Sequence, residues 1–180
     1  HIWQNAFIFT VFALCLASMV FLYTQHKLLL SQILILLAFS IILAIACISD
    51  FKTRTIDFKI SYALIALALL FQIASQDISK VLEAILTGIL TLALLLLCSF
   101  VVNKTTGKQA LGRAYLRTMP AVAALFDLFV SFLSLFVASM VSVFALYVYQ
   151  ICAKKKIDSF PFCPVIFIWF LLSLLFQSVS

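Results

Sequence analysis

The sequence predicts an all-α fold, a polytopic bundle of transmembrane helices, and two observations lead to this prediction. The chain of 180 residues is 66% hydrophobic and only 10% charged, with 3 Gly and 3 Pro, a composition that excludes an ordinary soluble domain. Its charged residues also divide it into apolar runs of about 20 residues, the length that a helix needs to cross the hydrocarbon core. We therefore expect a single integral membrane domain over residues 1–180.

The apolar runs predict seven helices. The fifth and sixth form one continuous apolar stretch that only Asp127 interrupts, and we divide it because one helix of that length would overshoot a bilayer. In chain order the expected spans are Ile2–Tyr23, Leu28–Ser49, Ile60–Ser75, Val81–Val102, Ala110–Asp127, Leu128–Cys152 and Phe162–Val179.

The basic residues predict the orientation of the bundle. The formal net charge is +6, but the twelve Lys and Arg residues form no basic face, so nucleic acid is not an expected partner. Cytoplasmic loops of membrane proteins carry the excess of Lys and Arg. The loops after the second, fourth and sixth spans hold ten of them, whereas Lys27 and Lys80 lie in the alternate loops, so Asp50 is expected at a cytoplasmic helix end. The ten are Lys52, Arg54, Lys59, Lys104, Lys108, Arg113, Arg117, Lys154, Lys155 and Lys156.

The cysteines and histidines give no sign of a cofactor. The five cysteines lie in or beside apolar runs, and no two have the spacing of a metal knuckle or a redox pair. His26 lies in a predicted outer loop and His1 is terminal, so neither is expected to complete a metal site with the scattered cysteines. The sequence therefore predicts no metal and no other cofactor, and it favours small buried side chains at the cysteine positions.

Asp50 is the residue that asks for a functional explanation. It follows the long apolar run of the second span, in the stretch ACISDFKTRTIDFK. In one interpretation Asp50 is an interfacial residue that touches headgroup water and pairs with Lys52 or Arg54. In the other, a second carboxylate from another cytoplasmic loop lies beside it, and the two acids share a proton and activate water for peptide hydrolysis.

Three segments of the chain carry a resemblance. They are SDFKTRTIDF, GKQALGRAYLRTMPAVAALF and KKKIDSFPFCP, and together they resemble the type 4 prepilin peptidases, which are intramembrane aspartic peptidases of the Gly-x-Gly-Asp kind. The resemblance covers about residues 28–180, so residues 1–27 are expected to form an additional N-terminal span. The three segments occur in the order that the family has, and all are predicted on the cytoplasmic side.

The resemblance implies a function and its site. Active members cut the leader from type IV prepilins or from pilin-like (pseudopilin) secretion subunits at the cytoplasmic face of a bacterial or archaeal plasma membrane. Asp50 corresponds to the first catalytic aspartate. The resemblance also suggests substrate contacts at Asp57, Gly112 and Arg113, and makes a prepilin or pseudopilin the expected partner besides membrane lipid.

One departure from the family pattern decides what activity to expect. Depending on the register, either Ala114 or Tyr115 falls where the second catalytic aspartate belongs, and neither side chain can share a proton with Asp50 at neutral pH. The chain as written is therefore expected to be inactive as a peptidase. Two origins stay open: an engineered inactive form, or a natural relative that serves as a binding or assembly factor for pili or secretion systems.

Overall fold

The computed structural model describes residues 2–25, 28–53, 55–106, 112–153 and 162–179. Within these ranges it contains seven α-helices and no strand, which confirms the predicted all-α fold. The helices are α1 (Ile2–Thr24), α2 (Leu30–Thr53), α3 (Phe58–Ala74), α4 (Ile78–Thr106), α5 (Arg113–Ala123), α6 (Leu128–Ala153) and α7 (Cys163–Val179).

The helix lengths fit a membrane bundle. Three helices are long and apolar enough to cross a bilayer, namely Gln4–Thr24, Leu30–Thr53 and Ile78–Thr105, and three shorter apolar helices accompany them, namely Phe58–Ala74, Leu128–Phe144 and Cys163–Gln177. The remaining helix, α5, has 11 residues, which is roughly 16 Å of helix against about 30 Å of hydrocarbon. Of the predicted fifth span, Ala110–Asp127, the structure shows Arg113–Ala123 as helix and Ala124–Asp127 as a turn, while Ala110 and Leu111 lie outside the described residues.

The segment around α5 nevertheless runs between the two ends of the bundle. The first turn of α5 contacts the last turn of α2 through Tyr115 and Asp50. At its other end, the Ala124 carbonyl accepts a hydrogen bond of 2.6 Å from Gln72 Nε2, near the end of α3. We call these the Asp50 end and the opposite end. Helices α3, α5 and α7 all begin at the Asp50 end, as the predicted alternation requires.

Helix α7 packs against both α2 and α5, and aromatic side chains fill the space between the three helices. The Phe170 ring of α7 stacks on Phe39 of α2 at 5.3 Å between centroids, and Phe126, just beyond α5, lies 5.8 Å from Phe170. Trp169 is buried and donates from Nε1 to the Ser131 carbonyl of α6 at 2.9 Å. Lipid tails are as apolar as the helix surfaces, so the hydrophobic effect does not drive helices together in a bilayer. Hydrogen bonds of this kind and close packing hold them together instead.

Candidate active site

Asp50 is a buried carboxylate in the last turn of α2, which continues to Thr53. Its side chain has 0% exposure. Oδ1 accepts a hydrogen bond of 2.5 Å from the Tyr115 hydroxyl, and Oδ2 accepts one of 2.8 Å from the Cys163 backbone N–H. Asp50 therefore joins α2 to α5 and α7, and it is not the headgroup-exposed residue of the interfacial interpretation. Arg54, the other pairing candidate, lies outside the described residues, and Lys52 is exposed.

Tyr115 is held over Asp50 by the local structure of α5. It is the third residue of a helix whose N-cap is Gly112, and its ring packs edge-on against Phe162 at 5.6 Å between centroids. A Cβ added at Gly112 would lie 3.3 Å from Tyr115 Cδ2, which is tighter than ordinary van der Waals contact. Glycine at this position therefore leaves room for the tyrosine ring beside the helix start.

Ala114 and Tyr115, the two sequence alternatives, are placed differently. The Tyr115 hydroxyl contacts Asp50, whereas Ala114 is half-buried against the core and its carbonyl accepts a hydrogen bond from the Thr118 hydroxyl at 3.1 Å. Thr118 also lies 3.0 Å from Ser61 of α3. The register that brings a side chain to Asp50 is thus the one in which Gly112, Arg113 and Ala114 precede it.

The start of α7 supplies the second donor to Asp50. Cys163 is its first residue and is followed by Pro164, and the first N–H groups of a helix have no partner within the helix. The Asp50 carboxylate satisfies the N–H of Cys163. This contact explains physically why the FCP segment lies beside Asp50, although the two are 113 residues apart in sequence.

Cys47 is a neighbour of the site that the sequence did not indicate. Its Sγ lies 3.2 Å from Cys163 Sγ, and both thiols are free and buried. Cys47 comes one turn before Asp50, and residues three apart share a helix face. This spacing is the sequence feature that could have predicted Cys47 near the carboxylate. Cys15 is buried as expected, but Cys98 is exposed, because its face of α4 points out of the bundle.

The other predicted site residues lie around the rim. Asp57 is exposed and caps α3, accepting a hydrogen bond of 3.0 Å from the Lys59 N–H. Gly112 is exposed at the start of α5, and Arg113 follows it as the first helical residue. These positions are at the Asp50 end, and their contact with a substrate stays a prediction.

The remaining described acids are far from Asp50 along the helices. Asp77 precedes α4 and accepts hydrogen bonds from the Ser79 hydroxyl and N–H, which lower the pKa of its carboxyl. Glu83 Oε1 lies 3.4 Å from the Leu128 N at the start of α6, next to Asp127. These groups are at the opposite end, and Asp158 lies outside the described residues. No described carboxylate therefore joins Asp50, and within the described residues no cluster of three or more His, Cys, Asp or Glu could hold a metal.

The family of the chain follows from a comparison with protein-family models. The model described as the type IV leader peptidase family matches residues 37–148, which is more than half of the chain. The chain belongs to the type IV leader peptidase family. The matched range includes Asp50, Asp57, Gly112 and Tyr115 and ends within α6. No curated protein and no solved structure matches the chain.

The chain is therefore an all-helical member of a protease family. Peptide hydrolysis by paired carboxylates needs one acid that holds a proton and one that acts as base. At the Asp50 end of this family member, the described side chain nearest to the carboxylate is a phenol. A phenol donates a hydrogen bond to a carboxylate but does not exchange the role of base with it at neutral pH.

Proposed function

We propose that this leader peptidase family member binds the leaders of type IV prepilins or pilin-like secretion subunits without cutting them. Tyr115 occupies the position of the second catalytic aspartate in this proposal. The observation that supports it is the hydrogen bond between the Tyr115 hydroxyl and Asp50, at the place where an active enzyme needs a water molecule between two acids. Asp57, Gly112 and Arg113 surround the leader at the rim, and residues 28–180 form the peptidase-like core.

The contact of Tyr115 also bears on the origin of the missing acid. An engineered inactive form would carry a small residue such as alanine in place of the aspartate. Because Tyr115 rather than Ala114 contacts Asp50, we favour a natural replacement, and with it a role in binding pilin-like subunits or assisting their assembly. The gene sequence at these two positions distinguishes the origins.

Binding without cleavage is the expected result when the purified chain meets a prepilin-like peptide. The probe is a peptide with a basic leader followed by an apolar helix, carrying a photo-reactive group at the junction. We expect cross-linking to the Asp50 end and no cleaved product, because contacts with the leader and the apolar helix need no second carboxylate. The readout is mass spectrometry of the cross-linked and free peptides.

The control for this experiment is the same peptide with neutral residues in place of the basic leader, which should cross-link less. Cleavage by the unaltered chain would show that a group other than Tyr115 completes the site. Absence of cross-linking with both peptides would remove the binding function altogether.

The orientation is proposed to place the Asp50 end in the cytoplasm of a plasma membrane, since ten of the twelve Lys and Arg residues belong to the three sequence segments predicted to face that side. With the exposed Cys98 replaced by serine, a cysteine at Thr53 should react with a membrane-impermeant maleimide only from the cytoplasm. A cysteine at Asp77 should react only from outside. The measurement is labelling of intact cells against inverted vesicles, and the reverse pattern would place Asp50 on the wrong side for a cytoplasmic leader.

A further inference from the structure

A polar cavity of about 290 Å³ lies at the opposite end of the bundle, away from Asp50. Its described charged lining residues are Lys80, Glu83 and Asp127, so that one positive and two negative side chains face the same space. Gln32 and Gln72 add two buried amides. A cavity with both signs of charge and amide groups suits a ligand that carries an ammonium and an anion.

The amides present both kinds of hydrogen-bonding group to the cavity. Gln72, which lines the cavity, donates from Nε2 to the Ala124 carbonyl at 2.6 Å and carries Oε1 as an acceptor. Gln32 Oε1 accepts from the Leu29 N–H at 3.0 Å, and its Nε2 has no acceptor among the described residues. The cavity thus offers an amide donor and an amide acceptor besides its charges.

An apolar groove of about 210 Å³ lies beside this cavity and is lined by α3, α4 and α5. Gln72 and Ala84 line both spaces, so the two are adjacent. Along α4 the groove extends from Val81 to Leu92, roughly 16 Å at 1.5 Å per residue. Gly88 and Pro120 form part of its wall, and a Cβ added at Gly88 would lie 3.6 Å from the Pro120 carbonyl oxygen.

We infer that this cavity and groove together bind one membrane phospholipid whose headgroup carries a primary ammonium and a phosphate. The ammonium faces Glu83, Asp127 and the Gln72 oxygen, while the phosphate faces Lys80 and the Gln32 amide. One acyl chain lies in the apolar groove. The site is separate from the Asp50 end and does not depend on the proposed leader binding.

Charge and shape favour this occupant over the others. Two carboxylates against one ammonium repel a headgroup that is purely anionic, and a quaternary ammonium lacks the N–H donors that the carboxylates and the amide oxygen accept. A substrate helix is 10–12 Å wide with its side chains, and a space of about 210 Å³ is too small to hold one. An extended acyl chain is narrow enough to lie in it.

The test uses the full chain in detergent, incubated with equal amounts of phosphatidylethanolamine, phosphatidylcholine and phosphatidylglycerol, with bound lipid counted by native mass spectrometry. We expect phosphatidylethanolamine to be retained about tenfold over each of the others, which corresponds to about 1.4 kcal/mol. The double variant Glu83→Gln with Asp127→Asn should lose that preference. The matched control is Asp77→Asn, an acid near the same end that does not line the cavity, and it should retain the preference.

Two further arms separate the headgroup from the chain and the lipid from other ligands. Gly88→Leu should fill the groove and reduce retention of all three lipids. Its melting temperature shows whether it folds. If it does not fold, the double variant at the exposed Glu83 and Asp127 still tests the inference. Soluble phosphoethanolamine should not compete at the lipid's concentration. Any of four outcomes would overturn the inference. They are equal retention of the three lipids, an Asp77→Asn effect as large as that of the double variant, full competition by phosphoethanolamine, and displacement of the lipid by a prepilin-like helix.

Discussion

Cleavage of a prepilin-like leader should appear when Tyr115 is replaced by aspartate. An aspartate is shorter than a tyrosine, so its carboxylate would stop short of Asp50 and leave space for a water molecule between two acids, the arrangement that activates water in aspartic peptidases. General acid–base catalysis contributes typically about 10²–10⁴-fold. We therefore expect Tyr115→Asp to cleave at least about 10²-fold faster than the unaltered chain, measured as cleaved peptide over time in detergent or nanodiscs.

The substitution is compatible with the local structure. Tyr115 is the third residue of α5, and an acidic side chain in the first turn of a helix interacts favourably with the helix dipole. The exposed Gly112 and the edge-on Phe162 ring lose a packing partner, but neither has to move to admit a smaller side chain. A gain of activity is thus not opposed by the fold.

Two further variants make this experiment decisive. Asp50→Asn in the Tyr115→Asp background should abolish the new activity, because only one carboxylate remains. Ala114→Asp is the matched control one residue earlier, and it should stay inactive, since the Ala114 carbonyl is tied to Thr118 and its side chain packs against the core. Activity in Ala114→Asp but not in Tyr115→Asp would place the second acid in the other register, and inactivity of both, with peptide binding intact, would favour a purely non-catalytic scaffold.

Removal of the Tyr115 hydroxyl should destabilise the bundle. In Tyr115→Phe the ring and its contact with Phe162 remain, while the buried Asp50 loses the donor to Oδ1. An unsatisfied buried polar group costs about 1–3 kcal/mol in soluble proteins, and interhelical hydrogen bonds in membranes reach at most about 1.7 kcal/mol. We expect the free energy of unfolding to fall by about 1–2 kcal/mol, measured by denaturation in mixed micelles.

The matched control is Tyr62→Phe, which removes a hydroxyl from an exposed tyrosine while keeping the ring under Arg117 at 5.6 Å. It should leave the free energy of unfolding unchanged within about 0.5 kcal/mol. Equal stability of Tyr115→Phe and the unaltered chain would mean that the hydrogen bond to Asp50 does not stabilise the bundle.

The helix ends illustrate how local information succeeds and fails. The start of α6 at Leu128 coincides with the predicted span, because Asp127 marks where the apolar run is interrupted. The fifth helix is shorter than its predicted span, since the predicted interval Ala110–Asp127 includes the turn from Ala124 to Asp127. Hydropathy records which residues are apolar, but not where the backbone leaves the helix.

The alternative registers at Ala114 and Tyr115 mark the limit of motif comparison. Spacing alone allowed either residue to face Asp50, because one position along a helix changes the direction of a side chain by roughly 100°. The packing of α5 against α3 and α4 fixes that rotation, and the long Tyr115 side chain then reaches the carboxylate. In the same way, the pairing of Cys47 with Cys163 follows from helices that meet 116 residues apart.

The sequence by itself determined that the chain is an all-helical membrane bundle and that Asp50 is its most unusual acid, because both conclusions depend on composition and on the spacing of charges along the chain. Only the tertiary structure decided what surrounds that acid: a phenol from α5, a backbone N–H from α7 and a thiol pair one turn away. It also decided that Lys80, Glu83 and Asp127 share one cavity at the opposite end. All of these are contacts between helices, and the sequence alone does not predict them. Side chains far apart in sequence meet only when packing against neighbouring helices sets the rotation and depth of each helix.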